Sequence, residues 1–394
     1  MLPPLRLKKN EDRRIRAGHL WVFSNEVDVA HTPLVAFEPG AAVQLQDSRG
    51  APLGAAYVNP RSLIAARLVS RDPSRPLDGA LLRERIARAL ALRERLFPAP
   101  FYRLVYGEGD GLPGLVVDRF GDVLVAQLTT AGMERVRDEV VAALEETLRP
   151  TGILLRNDVS GRVLEGLDSY VEVARGEVPD HVELEENGVR FRAPLAAGQK
   201  TGWFYDHRMS RARLQAYARG RRVLDVFSYV GGWGVQAAAA GAAGVVCVDA
   251  SDFALAEVRE NAALNGVEDR VRTRRGDAFE VLRELVGAGE RFEVVVLDPP
   301  AFIKRKKDQK AGEEAYRRMT QLGMEALASD GVLVSASCSF HMPREALQDA
   351  LLRAGRRLGR EVQVLEEGSQ GPDHPVHPAI PETRYLKAFF ARVF

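Results

Sequence analysis

The feature that most constrains the fold is an alternation of apolar and amphipathic segments that begins near residue 220. Five apolar segments each end in polar or glycine-rich residues, and helical patterns lie between them. The apolar segments are RRVLDVFS, GVVCVDAS, VRTRRGDAF, FEVVVLDPP and GVLVSASCS. This alternation predicts an α/β fold with a parallel sheet and helices on both faces. Two further segments, VQVLEE and RYLKAFFARVF, follow the last helix and predict an antiparallel pair.

The part of the chain before this alternation has a different pattern. Four short runs have strand character and are separated by Gly and Pro: WVFSNEV, AAVQLQD, PLGAAYV and LIAARLVS. They predict a compact β-rich module in residues 1–72. An amphipathic helix with strands and a second helix predicts a small α+β domain in residues 73–185. The α/β domain then occupies residues 186–394. The segment VELEENGVRFRAP, with Asn-Gly at its centre, predicts a hairpin near the last boundary.

Composition excludes several classes of protein. Of the 394 residues, 46% are hydrophobic and 28% charged, and no apolar run approaches the ~20 residues that span a bilayer. The N-terminus has no apolar core typical of a secretory signal. The two cysteines are too few for a disulfide framework. We therefore expect a cytoplasmic protein without membrane contact. The sequence does not determine its oligomeric state, and a homodimer stays open.

Charge is balanced overall but clustered locally. The net charge of +1 argues against a uniformly basic nucleic-acid binder. Residues 6–16 and the segment KRKKDQK, residues 304–310, are nevertheless basic. Each cluster is either a solvated face or a contact for an RNA backbone, and the position of the second beside the motif DPPAF favours the RNA contact.

The ends of the predicted parallel strands indicate a ligand site, because ligands of open α/β sheets bind at the carboxyl ends of the strands. Glycines follow the first strand, where they let the backbone approach a ligand closely; they are Gly231, Gly232 and Gly234. A glycine turn of this kind is a weak signal by itself.

Acidic residues end the next three strands. Asp249 is suited to ribose hydroxyls and Asp277 to an adenine amino group, while Asp298 closes the fourth strand. Their combined charge disfavours phosphate-bearing cofactors and favours an adenosine that carries a sulfonium. The alternative is that these residues are helix N-caps.

Seven motifs are distributed over nearly the whole chain: RAGHLWVFSNEV, GEGDGLPGLVVDRFGD, GQKTGWFYDHR, DVFSYVGGWG, DPPAF, SCS and PAIPETRYLK. In combination they resemble the motifs of the bacterial ribosomal RNA large-subunit cytosine-5 methyltransferases with an N-terminal PUA domain. These belong to the class I S-adenosylmethionine-dependent methyltransferases. In GQKTGWFYDHR, Trp203 and His207 stand where the family usually has Phe and Gln.

The resemblance implies a Rossmann-like class I methyltransferase domain, preceded by a PUA-like RNA-binding domain and the small α+β domain. It implies S-adenosyl-L-methionine as cofactor, with residues 198–208 packed beside it. The cofactor-binding residues that it implies are Lys200, Arg208, Asp225, Phe227, Ser228, Gly231, Asp249, Asp277 and Asp298.

The motif Asp298-Pro299-Pro300-Ala301-Phe302 indicates binding of a planar base. Adjacent prolines stiffen the turn and remove backbone donors, and the aromatic ring of Phe302 can stack on a base. Lys304, which follows directly, is a candidate contact to the RNA backbone. Enzymes that methylate exocyclic amines share this motif, so it does not select the methylated atom.

The two cysteines have different settings. Cys247 lies among apolar neighbours and is predicted to be a core residue, whereas Cys338 follows the fifth strand on the rim that carries Asp298. A thiolate that adds to C6 of a pyrimidine makes C5 nucleophilic, so Cys338 is a candidate nucleophile and Asp298 a candidate partner of the cytosine amino group or N3. His374 and His377 are spaced three apart but lack further ligands, so no metal site is predicted.

We therefore expect methylation of C5 of a cytosine in RNA, with 23S ribosomal RNA as the partner that the resemblance implies. Three alternatives stay open: methylation of uracil C5, methylation of an exocyclic amine with Cys338 as a bystander, and a non-catalytic RNA-binding assembly factor. Loss of the glycines or of the acidic strand ends would favour the last, and both are present.

Overall fold

The computed structural model describes residues 2–394, which form two compact units. The first unit comprises residues 2–182, 194–205 and 372–383, and the second comprises residues 183–193, 206–371 and 384–394. The first unit contains two separate sheets, one before and one after residue 72 in the chain. The division into residues 1–72, 73–185 and 186–394 stays a prediction.

The first sheet of the first unit has five short strands in the order β1-β3-β4-β5-β2. Its elements are β1 Pro4–Arg6, α1 Asp12–Arg16, β2 Trp21–Val22, β3 Ala41–Gln46, β4 Pro52–Val58 and β5 Ala66–Ser70. Leu5, Val43 and Val58 are fully buried in its core. The β-rich module expected from the sequence is therefore present.

One predicted strand of this sheet is shorter than expected. The pattern WVFSNEV predicts a continuous strand, but only Trp21–Val22 is extended and Ser24–Glu26 form a 3₁₀-helix. The Glu26 carboxylate accepts a hydrogen bond from the Phe23 N–H at 2.7 Å and pairs with Arg14 at 2.8 Å. These local bonds turn the chain where alternation alone predicts that it continues.

The second sheet of the first unit has the strand order β10-β9-β8-β7-β6. Its elements are α2 Gly79–Leu96, β6 Phe101–Tyr106, β7 Leu115–Phe120, β8 Val123–Leu128, α3 Ala131–Arg135, α4 Arg137–Leu148, β9 Gly152–Asn157, α5 Arg162–Glu165 and β10 Tyr170–Gly176. Helix α2 begins after Asp78, whose side chain accepts the Leu81 N–H. Ile86 of α2 and Leu144 of α4 are buried in its core.

The predicted hairpin is confirmed. Its strands are β11 His181–Glu186 and β12 Val189–Pro194, and they form a two-stranded sheet. Asn187 and Gly188 both have positive φ angles, 55° and 78°, as a two-residue turn with right-handed twist requires.

The second unit contains a seven-stranded sheet in the order β15-β14-β13-β16-β17-β19-β18. Its strands are β13 Arg222–Val226, β14 Gly244–Asp249, β15 Val271–Arg275, β16 Phe292–Leu297, β17 Leu327–Ser337, β18 Val362–Gly368 and β19 Lys387–Val393. Its helices are α6 Arg208–Ala218, α7 Gly234–Ala239, α8 Asp252–Leu264, α9 Ala278–Gly287, α10 Gln309–Glu325 and α11 Arg344–Leu358.

The pairing in this sheet agrees with the sequence prediction. Strands β13 to β17 pair in parallel, and β19 is antiparallel to both β17 and β18. Chain order reverses between β13 and β16, so their carboxyl ends form the switch point at which open α/β sheets bind ligands. Within residues 2–394, no helix is long and apolar enough to cross a membrane.

A buried ion pair in the first unit gives a stability prediction. The Arg93 side chain is fully buried and donates to both oxygens of Asp110, each at 2.7 Å, and to the Asp373 carbonyl at 2.8 Å. Arg93→Met leaves the Asp110 charge buried without its partner, so it should lower the free energy of unfolding by about 3–5 kcal/mol. Chemical denaturation followed by circular dichroism measures this change.

The matched control is Arg83→Met in the same helix. Arg83 pairs with Glu146 at 3.4 Å, and both side chains are about half exposed. Its removal should lower the free energy of unfolding by less than about 1 kcal/mol. Equal effects of the two substitutions would contradict the stabilising role of the buried pair.

Candidate active site

The loop after β13 adopts a constrained conformation at the carboxyl edge of the sheet. Phe227, Tyr229 and Gly231 all have positive φ angles, of 66°, 48° and 87°. Such angles are unfavourable for residues other than glycine, and they persist where surrounding contacts enforce them. Here the Tyr229 N–H donates to Asp249 at 3.0 Å, and the Ser228 N–H donates to the Val248 carbonyl at 3.0 Å. Both contacts tie the loop to the end of β14.

Asp225 lies on β13 directly under this loop and is completely buried. One carboxylate oxygen accepts the Gly234 N–H at 2.8 Å, and the other is buried with no hydrogen-bond partner among residues 2–394. Burial raises the pKa of Asp225 to about 7. The Ser228 hydroxyl is also buried, and the part of the chain that the structure describes offers it no partner. Buried polar groups are normally hydrogen-bonded, so these two groups, on one strand and the loop after it, are suited to bind a polar cofactor.

Asp249 and Asp277 have different local roles. The two carboxylate oxygens of Asp249 accept the N–H groups of Tyr229 and Ser251, at 3.0 and 2.9 Å. Asp277 is the N-cap of α9 and accepts the N–H groups of Phe279 and Glu280. Asp277 therefore caps α9 through one carboxylate oxygen, Oδ1, whereas Asp249 supports the constrained loop with both of its oxygens.

Asp298 follows β16 directly and pairs with two side chains. The Trp233 indole donates to it at 3.0 Å, and His207 Nε2 lies 3.2 Å from its other oxygen. Burial alone would raise the pKa of Asp298, but the attraction of His207 and hydrogen bonds from His207 and Trp233 outweigh it and lower that pKa. Asp298 is therefore an ionised acceptor at the end of β16.

His207 is a contact that the sequence analysis did not predict. Burial would lower the pKa of His207, but Asp298 and Asp206 outweigh this effect and raise it. The substitution of His for the usual Gln of the family marked this position without indicating its partner.

Cys338 lies directly after β17, on the rim that carries Asp298, as predicted. Strands β16 and β17 pair in parallel with Leu297 opposite Ser335, and the Cys338 sulfur lies 4.0 Å from the Pro299 carbonyl oxygen. Cys338 is partly exposed, whereas Cys247 is completely buried and its pKa is raised by burial and by two nearby aspartates. Only Cys338 combines exposure with a place at the carboxyl edge.

The two serines beside Cys338 fix the loop that carries the thiol. The Ser337 hydroxyl donates to the Tyr316 hydroxyl at 2.9 Å, and the Tyr316 and Ser339 hydroxyls lie 3.0 Å apart. Ser339 also accepts the Ile303 N–H at 3.2 Å. These bonds connect the loop after β17 to helix α10 and to the segment after β16, so the serines are structural supports of the thiol.

The remaining predicted substrate residues lie on the segment after β16. Phe302 is partly buried, with its ring centroid 4.9 Å from that of Tyr316 and within 6.4 Å of that of Phe227. Pro299 is buried, whereas Pro300 and Lys304 are exposed.

Two further predicted cofactor residues contact neighbouring side chains. Arg208 begins α6 and lies 3.5 Å from the buried carboxylate of Glu186, which also binds Arg211 at 2.6 Å. Lys200 belongs to the first unit, where its ammonium group lies 4.7 Å from the centroid of the Phe204 ring.

Lys387, the first residue of β19, is a second residue that the sequence analysis missed. It lies opposite Ser337, is nearly completely buried, and donates to the carbonyls of Ser339 and Met342 at 2.5 and 2.8 Å. The sequence signal that could have identified Lys387 is its position as a basic residue at the start of an apolar terminal strand.

The chain matches two families. A family described as S-adenosylmethionine-dependent methyltransferase matches residues 119–390, and a PUA-like domain family matches residues 5–71. Ribosomal RNA large subunit methyltransferase I of Shewanella denitrificans is 36% identical over 395 residues, covering 99% of each chain. The Erwinia tasmaniensis protein of that name is 37% identical over 395 residues, covering 98% of each chain.

Solved structures share the whole fold at lower identity. A Streptococcus mutans protein described as a SAM-dependent methyltransferase aligns with a TM-score of 0.83 and 20% identity, covering 99% of this chain and 100% of that one. A methyltransferase structure complexed with SAH aligns with a TM-score of 0.85, 20% identity and the same coverage. At this identity the likeness supports the fold alone.

The contact between Gly234 and Asp225 gives a prediction for cofactor binding. A Cβ atom at Gly234 would lie 2.5 Å from the Cys247 sulfur and 3.0 Å from the Asp225 carboxylate. Gly234→Ala should therefore displace the loop and weaken S-adenosylhomocysteine binding by at least about tenfold, which corresponds to roughly 1.4 kcal/mol of binding free energy. Isothermal titration calorimetry measures the affinity.

The control is Gly287→Ala, at the end of α9. A Cβ atom there has no neighbouring heavy atom within 4 Å, so affinity should be unchanged. Normal affinity of the Gly234→Ala protein would show that the close approach of the loop is not needed for the cofactor.

Proposed function

We propose a base-methylating reaction for this chain, which belongs to the ribosomal RNA large subunit methyltransferase I family of S-adenosylmethionine-dependent methyltransferases. Its substrate is ribosomal RNA, and the PUA-like domain over residues 5–71 supports RNA as the partner. We assign the methyl group to C5 of a cytosine in 23S ribosomal RNA, in the cytoplasm. The observation that carries this assignment is the partly exposed thiol of Cys338, whose sulfur lies 4.0 Å from the carbonyl oxygen of Pro299, the residue after Asp298.

A thiol at this position meets a specific chemical need. C5 of cytosine is a weak nucleophile, but addition of the Cys338 thiolate to C6 forms an S–C6 bond and shifts the ring electrons towards C5. C5 then reacts as an enamine carbon. After methylation, loss of the C5 proton returns electrons to the ring, breaks the S–C6 bond and releases the thiolate. Methylation of an exocyclic amine needs none of these steps.

Asp298 supplies the choice of cytosine over uracil in this proposal. Its carboxylate is held ionised by His207 and Trp233, so it can only accept hydrogen bonds. The 4-amino group of cytosine is a donor, whereas uracil presents a carbonyl acceptor at that position. The same carboxylate would therefore attract cytosine and repel uracil.

The proposed binding site for the cofactor includes residues at the carboxyl edge of the sheet. When bound, S-adenosylmethionine supplies an electrophilic methyl group. The unsatisfied oxygen of Asp225 and the hydroxyl of Ser228 support a polar ligand beside the constrained loop. We propose that the cofactor is held by Lys200, Arg208, Asp225, Phe227, Ser228, Gly231, Asp249, Asp277 and Asp298. The base and its backbone are held by Pro299, Pro300, Phe302 and Lys304.

The covalent step gives the sharpest prediction for this proposal. RNA with 5-fluorocytosine at the target position has no proton to lose at C5, so it should remain attached to the normal protein through Cys338. Cys338→Ala should bind cofactor and RNA but lower methyl transfer by several orders of magnitude. Peptide mapping by mass spectrometry should locate the adduct on Cys338.

Cys247→Ala is the matched control, because its thiol is completely buried. It should retain adduct formation and most of the activity. A Cys338→Ala protein that methylates at a near-normal rate would contradict the covalent mechanism and favour methylation of an amino nitrogen.

The basic clusters differ in how much of their charge is already paired. In the N-terminal cluster, Arg16 lies 2.6 Å from Asp12 and 3.0 Å from Asp47. In residues 304–310, Arg305 pairs with Asp308, but four exposed lysines have no carboxylate within ion-pair distance in residues 2–394. They are Lys304, Lys306, Lys307 and Lys310. We propose that this second cluster contributes more to the RNA contact.

Replacement of Lys304, Lys306 and Lys307 together by Ala should weaken RNA binding. It should also reduce the slope of log affinity against log salt by roughly 0.7–0.9 for each phosphate that the protein no longer neutralises, because fewer counterions are released. Filter binding over a salt series measures both quantities. The control, Arg16→Ala, should change the slope little, and an unchanged slope in the triple variant would show that the lysines are only solvated.

A further inference from the structure

Lys387 has a buried amino group that binds the loop after β17. Its side-chain hydrogen bonds all go to main-chain carbonyls, those of Ser339 and Met342, and no carboxylate in residues 2–394 lies within ion-pair distance. A buried ammonium group is costly unless a counter-charge offsets its desolvation. The environment of Lys387 therefore requires either a neutral amine or an anion that forms nearby.

The position of Lys387 selects Cys338 as that anion. Lys387 starts β19 opposite Ser337, the last residue of β17, and the two carbonyls that it binds lie one and four residues after Cys338. The loop that carries the thiol is therefore folded around the lysine side chain. Electrostatic interaction connects the two groups, since ionisation of Cys338 favours the charged form of Lys387.

The hydrogen bonds of Lys387 are compatible with both of its protonation states. A neutral amine can donate its two N–H groups to the two carbonyls and keep its lone pair, whereas an ammonium group has a third N–H to donate. The carbonyls therefore orient the nitrogen in either state. They do not decide whether the proton belongs to Lys387 or to another group.

We propose that Lys387 and Cys338 form a proton-sharing pair in which the lysine amine accepts the thiol proton and stabilises the resulting thiolate. In this step the S–H bond of Cys338 breaks, an N–H bond forms on Lys387, and the electron pair stays on sulfur. No net charge is created, because a neutral pair becomes an ion pair. The inference deepens the proposed cytosine methylation, on which its functional meaning rests.

The charged and titratable groups around the pair support this assignment. Burial lowers the pKa of Lys387 to about 8, Cys338 raises it and Arg344 of α11 lowers it. The lowered pKa lets Lys387 exist as the neutral amine that can accept the thiol proton. The Tyr316 hydroxyl on α10 bonds to Ser337 and Ser339, and burial raises its pKa, so it stays neutral.

The test is the pH dependence of Cys338 alkylation by iodoacetamide, in full-length protein that also carries Cys247→Ala. In the protein with native Lys387, the pH dependence of alkylation should give an apparent pKa of the Cys338 thiol below about 8.5, because the ammonium group stabilises the thiolate. Lys387→Met should raise that pKa by at least about one unit, which slows alkylation at neutral pH roughly tenfold. Lys387→Arg, which keeps the positive charge, should restore most of the reactivity.

Tyr316→Phe is the matched control for loop support, since it removes hydrogen bonds to the same loop without removing a charge. It should leave the apparent thiol pKa unchanged. S-adenosylhomocysteine binding checks that each variant is folded. If Lys387→Met does not fold, Lys387→Gln takes its place in the alkylation experiment. The pKa of the Cys338 thiol in the native protein can also be measured from the ultraviolet absorbance of the thiolate, with Cys338→Ala as the reference.

An unchanged thiol pKa in folded Lys387→Met would overturn the proposal and leave Lys387 as a loop support only. The readout needs neither RNA nor methyl transfer. A shifted thiol pKa together with an active Cys338→Ala protein would therefore contradict the proposed cytosine-C5 reaction but retain the proton-sharing pair.

Discussion

Parallel pairing of β16 with β17 is the constraint on which the site depends. With Leu297 opposite Ser335, both strands end at the same edge, and the segments that follow them carry Asp298 and Cys338. Because side chains alternate along a strand, a shift of one residue would turn one set of side chains to the other face of the sheet. The buried apolar residues of both strands fix the register, so the core of the sheet also positions the reactive groups.

The site is built from arrangements that are unfavourable in isolation. Phe227 and Tyr229 adopt left-handed backbone angles, each costing roughly 1–3 kcal/mol. In the described chain, residues 2–394, one buried oxygen of Asp225 has no hydrogen-bond partner and the buried amino group of Lys387 has no carboxylate within ion-pair distance. The extensive core of the second unit supports these local costs. A bound cofactor would supply a hydrogen-bond partner for the Asp225 oxygen, and a thiolate at Cys338 would offset the positive charge of Lys387.

The sequence predicted the central strands β13, β14, β16 and β17 because they are largely buried apolar runs that stand out between amphipathic helices. The edge strands β15 and β18 are more polar and their residues are partly or fully exposed, so their apolar pattern is weaker. It also placed Asp249, Asp298 and Cys338 at strand ends, which the structure confirms. The His207–Asp298 pair could not be predicted, because it joins residues 91 apart whose contact depends on tertiary packing. Lys387 was missed for the same reason, because its partners are main-chain carbonyls of a distant loop. Every residue has a main-chain carbonyl, so the sequence does not indicate which of them a lysine binds.

The most direct test of the central claim is mass-spectrometric mapping of methylated nucleotides in 23S ribosomal RNA from cells that carry Cys338→Ala in place of the native protein. If the thiol of Cys338 is the nucleophile, one 5-methylcytosine should disappear from the large-subunit RNA, and all other modifications should remain. Retention of every 5-methylcytosine, or loss of a methyl group from an amino nitrogen instead, would contradict the account.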